Sequence, residues 1–596
     1  MTRGARDGRG YWCPTWSPDG QHLAMVSTQG DTVQIYVWDR VANILRRMSE
    51  RGTDIGYTEI TSPTGEVGPL AWKDEKHLVV GLLSVGQAGT ALDRDRGVES
   101  FALAQWAHAK QGHKSTSSVF EAPLTVISRR ESIAIIDVSL GSVREIASVP
   151  SAGRRWIRIA PGWEMGAVLT QVNPDPPHAG RPPVPEYLTQ GGVFSLSSSG
   201  ITWSDSRSIT TLLGWKQGAG FIVSTRDKNL FSMDVRSALL RPAPEGADEV
   251  TQARKRSNEP VTPIPNGVVL ATVQDRMVLK SEDEKGVHLW TCAAEAPQAC
   301  REVIRINPQT ANIKPALSTL IEYTSAKGEP LKAVVLRPPG YETGKPWPTI
   351  VWAYAGTVFH NPNDIRASIT DRRWDNPQLL ASHGYVVIFP SIPLMPYGTA
   401  SDPYSDIAGG VIPAIQKAVE AGIADPNRLG IIGHSYGGYT TLSLLSQTGM
   451  FRCAVALAGA ADLISFYGGF DPHNRYANGI SRGLLGPPLL EISQFRMGAT
   501  PWDSTDQYLR NSPIMYLNKI EAPLMLVAGD LDPAMAQAEE VFTGLQRLGK
   551  PVTLVRYFGE DHTLDSPANI RDLWLRIFRW FDDAFSNRGL PPDRRP

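Results

Sequence analysis

The sequence predicts two kinds of fold in one chain: an N-terminal all-β propeller of about seven blades over residues 1–312, and a C-terminal α/β-hydrolase domain with a doubly wound, mostly parallel sheet over residues 313–596. Three observations carry this. The front half repeats short β-rich runs broken by polar, Gly and Asp turns, at roughly the 40 to 50 residue period of propeller blades. Beyond 312, buried-looking Val, Ile and Leu strands alternate with helical stretches, the signature of a parallel sheet with helices on both faces. At 429–443, LGIIGHSYGGYTTLS, an apolar strand runs into Gly-x-Ser-x-Gly and then into a helix-compatible stretch, the strand, sharp turn and helix of a nucleophile elbow. A chain of 596 residues is also too long for a single core.

The blade pattern is set at once. Trp16-Ser-Pro-Asp-Gly20 reads as a turn, and HLAMVS, VQIYVWD and ILRRMS follow as short strands. A second Trp-turn-strand unit starts at Ala71-Trp72-Lys73-Asp74. Further units read around TVISRRESIAIIDV, IRIAPGWEMGAVLTQV, TLLGWKQGAGFIVSTRDKNLFSMDV and GVVLATVQDRMVLKSEDEKGVHLWTC. Residues 91–118 and the proline-rich 174–186 read as insertions between strands. Beyond 312, a hairpin turns at Ser325-Ala-Lys-Gly-Glu-Pro330. Strand 349–354, a helix-like stretch near 373–383, strand 385–390, helix 411–422 and the nucleophile strand come next. After the nucleophile come strand 453–459, strand 523–529, helix AMAQAEEVFTGLQRLG, strand 552–558 and an amphipathic closing helix, NIRDLWLRIFRWFDDAF.

A serine in that elbow projects from the carboxyl edge of the sheet, so Ser435 is the candidate nucleophile. It needs a base to take its proton and an acid to orient the base, and in this fold the acid and then the base follow the serine in the chain. Two loops qualify, each just past a strand end: Gly529-Asp530-Leu531-Asp532 and Gly559-Glu560-Asp561-His562. His562 is the candidate general base. Asp530 and Asp532 share the acid loop, and spacing alone leaves the choice between them open.

These residues resemble the prolyl oligopeptidase family of serine peptidases, in the G-x-S-Y-G-G turn at 433–438, the G-x-x-D loop at 529–532 and the G-x-x-H loop at 559–562. The family's acid loop usually begins His-Gly, where this chain has Ala528-Gly529. The resemblance implies Asp532 as the triad acid. It also implies that Tyr354, in Trp352-Ala-Tyr354-Ala-Gly356, gives its hydroxyl to an oxyanion hole completed by the Tyr436 backbone N–H. Trp352-Ala-Tyr354, Pro390-Ser-Ile-Pro393, Gly433-His-Ser-Tyr-Gly437 and Ser512-Pro-Ile look similar to the glutamyl-endopeptidase-like branch, and the acylaminoacyl-peptidase-like branch is near. Phe466 and Tyr467, after the strand that follows the nucleophile, are candidates for the substrate pocket. The family often carries a stretch ahead of its first blade; here blade-like sequence begins almost at Met1.

The function this implies is hydrolysis of peptide bonds in short peptides through an acyl-enzyme, in a cavity gated by the propeller. The alternatives are an esterase or acyltransferase using the same triad, and a non-catalytic propeller binding protein. Lys plus Arg number 59 and Asp plus Glu 60, a net charge of −1. Neither nucleic acid nor a membrane is therefore expected as partner, and a homo-oligomer is compatible with the sequence. With no His-Glu-x-x-His, Cys/His cluster or P-loop, neither metal nor cofactor is expected. Four scattered cysteines, Cys13, Cys292, Cys300 and Cys453, give free thiols in a reducing cytoplasm as the expectation, with a Cys292–Cys300 hairpin disulfide as the alternative.

Overall fold

The computed structural model describes residues 11–586, less the stretches 85–102, 112–129, 173–187, 248–263 and 476–483 and several shorter ones. By internal contacts the chain forms two compact units, Met1–Ser257 with His473–Gly483, and Asn258–Pro472 with Leu484–Pro596. This division falls ahead of the change of texture near 312, so the antiparallel sheet of Val268–Ile306 counts with the second unit. The proline-rich segment 174–186 lies outside the described residues, and 91–118 mostly does.

In the first unit, strand alternation does the packing. His77–Leu83 and Arg130–Asp137 pair antiparallel. Leu78, Val80, Leu82, Ala134 and Ile136 point one way, onto Ala24, Val26, Ile35 and Val37 of the sheet before. Val79, Ile133 and Ile135 point the other way, onto Ile157, Ile159 and Val168 of the sheet after. Ala167, Leu169 and Val193 then meet Leu212, Phe221 and Val223 of the next sheet. A period of two in the sequence thus becomes sheets stacked face to face, each strand serving two interfaces. Five sheets of blade type lie among the described residues.

One sheet departs from the consecutive-strand pattern. Thr58–Thr61 pairs in parallel with Arg155–Arg158, almost a hundred residues on, so the hairpin 58–68 joins a six-stranded sheet rather than its neighbours in sequence. An ion pair between Arg155 and Glu131, both 1% exposed, is buried where the strands meet. Thr58 Oγ1 lies 3.0 Å from Arg155 Nη2 and 3.2 Å from Glu131 Oε1.

The second unit is built on an eight-stranded sheet. Its strands are β1 (Leu317–Thr324), β2 (Pro330–Arg337), β3 (Trp347–Trp352), β4 (Val386–Pro390), β5 (Ala424–His434), β6 (Cys453–Leu457), β7 (Leu524–Gly529) and β8 (Val552–Tyr557). They lie in the order β1-β2-β4-β3-β5-β6-β7-β8. The first two ladders, β1 with β2 and β2 with β4, are antiparallel, and the rest are parallel. Helices α1 (Gln378–Ser382), α2 (Pro403–Glu420), α3 (Tyr436–Leu445), α4 (Ala534–Arg547) and α5 (Pro567–Phe585) cover the sheet. The helices α2, α3 and α4 bury their apolar sides on one face, with Ile407, Val411, Leu442 and Val541. On the other face α1 and α5 do the same with Leu380, Leu573, Trp574 and Phe581.

Two expectations are corrected. The helix expected over 411–422 begins at Pro403, eight residues earlier, and carries Pro413 inside it. Burial of Ile407, Val411, Ala414 and Ile415 in the core outweighs the hydrogen bond that Pro413 cannot donate. The cysteines are not all free: Cys292 and Cys300 are register partners on neighbouring antiparallel strands and form a disulfide, their Cα atoms 4.2 Å apart. Cys13 and Cys453 are free. Among the described residues no helix is long and apolar enough to cross a membrane.

Candidate active site

β5 ends at His434 and α3 begins at Tyr436, so Ser435 alone makes the turn, with φ 61° and ψ −121°. A non-glycine residue there is strained by roughly 1 to 3 kcal/mol. The elbow is held by Ser435 N–H donating to the Leu457 carbonyl at 2.9 Å on β6. A Cβ on Gly437 would come within 2.3 Å of the Ala353 carbonyl oxygen at the end of β3. Only glycine lets the helix start so close to the neighbouring strand.

The loops 529–532 and 559–562 meet this elbow from the ends of β7 and β8, the second and third strands beyond β5 in the sheet. His562 Nε2 lies 2.8 Å from Ser435 Oγ, and His562 Nδ1 lies 2.9 Å from Asp532 Oδ2. The two aspartates of the acid loop face different partners. Asp532, 2% exposed, faces the imidazole and also accepts from Ala534 N–H. Asp530 turns to the backbone and accepts from Gly559 N–H at 2.8 Å. The loops touch backbone to backbone: a Cβ on Gly529 would lie 2.2 Å from the Glu560 carbonyl oxygen and 2.5 Å from that of Asp561. Glu560, 3% exposed, accepts from Asp565 N–H, Ser566 N–H and Asn569 Nδ2, closing the base loop onto the start of α5.

Tyr354 and Tyr436 stand together, their rings edge to face at 6.5 Å. Tyr354 is 37% exposed, whereas the Tyr436 ring is buried at 2%. As the first residue of α3, Tyr436 has an N–H without a helical acceptor, at the positive end of the helix. Burial holds the Tyr436 phenol well above the ordinary tyrosine range. A cavity of about 320 Å³ opens beside Tyr354, lined by Trp352, Phe359, Phe389, Asp364, Arg373 and Asp375 among others. Burial pushes the Asp375 carboxyl up.

Phe466 and Tyr467 lie on a short helix, Leu463–Tyr467, capped by Asp462 accepting from Ile464 and Ser465 N–H. Phe466 packs against the core, and the Tyr467 hydroxyl donates to Glu491 Oε1 at 2.6 Å. Neither makes a hydrogen bond to Ser435, Asp532 or His562 among the bonds described.

Three residues here, His434, Trp374 and Gln494, had no role assigned from the sequence. His434, just before the nucleophile, has its Nε2 2.6 Å from the carbonyl oxygen of His562. Its ring stands 4.7 Å from that of His562 and edge-on to Trp374 at 4.8 Å. Burial, and then the neighbouring His562, push the His434 imidazole down to about 3. Neutral imidazole with its proton on Nε2 therefore donates to the backbone of His562, a second tie between the elbow and the 559–562 loop. The third is Gln494, whose Nε2 lies 3.0 Å from Tyr354 Oη. Among the described residues no group of His, Cys, Asp and Glu is placed to hold a metal ion.

With this geometry in place, the chain can be compared with known proteins. Residues 403–483 and 488–588 match the model of the prolyl oligopeptidase family. The C-terminal part is a prolyl oligopeptidase family domain. That domain is similar to the probable chloroplastic glutamyl endopeptidase of Arabidopsis thaliana, 27% identical over 294 residues, which are 46% of this chain and 27% of that protein. It is also similar to dipeptidyl-peptidase 5 of Porphyromonas endodontalis, 26% identical over 43% of this chain and 36% of that one. The chain thus spans less than two fifths of the length of these curated relatives. Among solved structures, acylaminoacyl peptidase of Pyrococcus horikoshii superposes with a TM-score of 0.59 at 14% identity, over 98% of this chain and 90% of that one. Prolyl oligopeptidase B of Galerina marginata does so with a TM-score of 0.55 at 13% identity, over 98% and 81%. Likeness at such identity shows the fold, an N-terminal β-propeller followed by an α/β-hydrolase domain.

Proposed function

We propose that the protein is a serine peptidase that hydrolyses peptide bonds of short peptides through an acyl-enzyme. The observation that carries the reading is the relay of two hydrogen bonds, Ser435 Oγ to His562 Nε2 at 2.8 Å and His562 Nδ1 to Asp532 Oδ2 at 2.9 Å. In this mechanism Ser435 Oγ attacks the scissile carbonyl while His562 Nε2 takes its proton. Asp532 holds the proton on Nδ1 and stabilises the imidazolium that forms. The negative oxygen of the tetrahedral intermediate accepts hydrogen bonds from the Tyr354 hydroxyl and the Tyr436 N–H, each worth a few kcal/mol in the transition state. His562 then gives its proton to the leaving amine. Water, activated by the same imidazole, cleaves the acyl-serine ester and frees Ser435.

Short peptides as substrates, a site gated against folded proteins, and Phe466 and Tyr467 as pocket walls belong to the same proposal. So does the compartment. Disulfides persist in oxidising surroundings, so the Cys292–Cys300 bond favours such a setting over the reducing cytoplasm expected from scattered cysteines.

The test is labelling with a fluorophosphonate probe, wild type beside Ser435→Ala, followed by peptide amides with Glu, Pro, Ala or Phe before the cleaved bond and by a folded protein. Wild-type labelling lost in Ser435→Ala, with amide cleavage and the folded protein spared, supports the peptidase. Labelling with turnover of esters alone supports the esterase or acyltransferase instead. Absence of labelling overturns the triad.

A further inference from the structure

We infer that Gln494 is a positioning residue for the oxyanion hole: its side-chain amide N–H holds the Tyr354 hydroxyl oxygen and leaves the Tyr354 proton to the substrate. The inference rests on the reading of Tyr354 as an oxyanion donor given above.

A phenol carries one proton and two lone pairs. A neighbour that accepts from the hydroxyl removes the proton that the oxyanion needs. A neighbour that donates to the oxygen leaves the proton free and, by polarising the group, makes it a better donor. Gln494 Nε2, 3.0 Å from Tyr354 Oη, is of the second kind. Among the described residues no other side chain hydrogen-bonds that oxygen. The edge-to-face contact with Tyr436 fixes the Tyr354 ring, but a ring contact does not set the direction of the O–H.

The seat of Gln494 is rigid. Phe495, 2% exposed, packs its ring on Tyr436 at 4.6 Å and on Tyr439 at 4.9 Å. Phe495 N–H donates to the Leu489 carbonyl, and Met497 N–H to that of Leu490. Ser401 N–H donates to the Arg496 carbonyl at 2.9 Å, and the Ser401 hydroxyl to that of Phe495. Two consecutive residues of one anchored segment therefore reach both proposed oxyanion donors: Gln494 by its amide to the Tyr354 hydroxyl, Phe495 by its ring to the residue whose N–H is the other donor. Placement to a few tenths of an ångström is what an oxyanion hole requires.

The experiment is steady-state cleavage of one peptide amide by the full chain, active sites counted with the fluorophosphonate probe, for wild type, Gln494→Ala, Gln494→Glu, Tyr354→Phe and the double variant Tyr354→Phe/Gln494→Ala. Gln494→Ala is expected to lower kcat about fivefold to tenfold with little change in KM, less than the roughly 100-fold loss of a whole oxyanion donor. Gln494→Glu, close to the same size, is expected to be slower than Gln494→Ala, because its carboxylate takes the Tyr354 proton. In the Tyr354→Phe background, Gln494→Ala is expected to change nothing further. If the two losses multiply, or if Gln494→Glu matches wild type, or if Gln494→Ala is as fast or faster, Gln494 does not act through Tyr354. If Tyr354→Phe alone leaves kcat unchanged, the oxyanion role of Tyr354 falls, and that result is separate from a loss in Tyr354→Phe to which Gln494 adds independently.

Discussion

The sheets of residues 11–242 and the eight-stranded sheet of residues 317–557 use the same hydrogen bonds to opposite ends. In the first region most strands pair with the strand next in sequence, and turns of a few residues close them. Such pairing orders the chain locally and gathers few distant residues. In the second, parallel strands need a crossover between them, so the chain returns again and again to one edge of the sheet. Ser435, Asp532 and His562 follow β5, β7 and β8 at that edge although up to 127 residues separate them. Local pairing builds a scaffold, and crossover pairing assembles chemistry. The parallel join of Thr58–Thr61 with Arg155–Arg158 is the place where the first region borrows the second's device, and what it gathers there is a buried ion pair rather than a relay.

The largest expected effect separates the two regions by their buried carboxylates. Asp532→Asn keeps the shape but loses the charge that sets the imidazole tautomer, and kcat is expected to fall by about 10⁴. Asp530→Asn, which touches only the Gly559 N–H, is expected to stay within about tenfold of wild type. Steady-state cleavage of a peptide amide measures both, and equal losses would erase the distinction between the two aspartates.

Next in size is the first region's own charge. Arg155→Ala removes the guanidinium paired with the buried Glu131, at 1% exposure, and is expected to cost about 3 to 5 kcal/mol of stability. Turnover per folded molecule is expected to be unchanged. Urea unfolding followed by tryptophan fluorescence, with kinetics at low urea, reads the two separately. A loss of kcat without a loss of stability would place this ion pair in the chemistry after all.

The smallest effect is a pH dependence. His434 is held down to about 3 against an ordinary 6.5. As pH falls below 6.5 the unfolded chain takes up a proton that the folded chain refuses. The contribution is whole above about pH 6.5 and is lost as pH falls toward 3, at up to about 1.4 kcal/mol per pH unit. His434→Phe keeps a ring beside Trp374 and removes the titration. The drop in urea midpoint between pH 7.5 and pH 5 is therefore expected to be smaller in the variant, and an equal drop would mean that His434 titrates normally.

What the sequence made legible followed from periodicity and from motifs that stand just past strands. Ser435, His562 and the acid loop were readable because Gly-x-Ser-x-Gly and the two Gly-x-x loops each close an apolar run. Choosing Asp532 over Asp530 needed three dimensions, since both lie in one four-residue loop and only one faces the imidazole. The start of α2 lies eight residues ahead of the 411–422 run that reads as helix, and Pro413 sits in mid-helix. The parallel pairing of 58–61 with 155–158 joins segments whose register no local pattern states, whereas the Cys292–Cys300 bond was open as an alternative that spacing alone could not decide. Gln494 lies in EISQFRMG, a run without spacing or composition to mark it, and only its 3.0 Å approach to Tyr354 gives it meaning.

The elbow has a further consequence. At φ 61° and ψ −121°, position 435 favours glycine over every residue with a side chain. Mutational drift filtered for thermal robustness alone would tend to erase the hydroxyl, replacing a working catalyst with a sturdier and inert relative. A serine at such a site carries a backbone cost that glycine would not, and the proposed nucleophilic role of its hydroxyl is what would offset it.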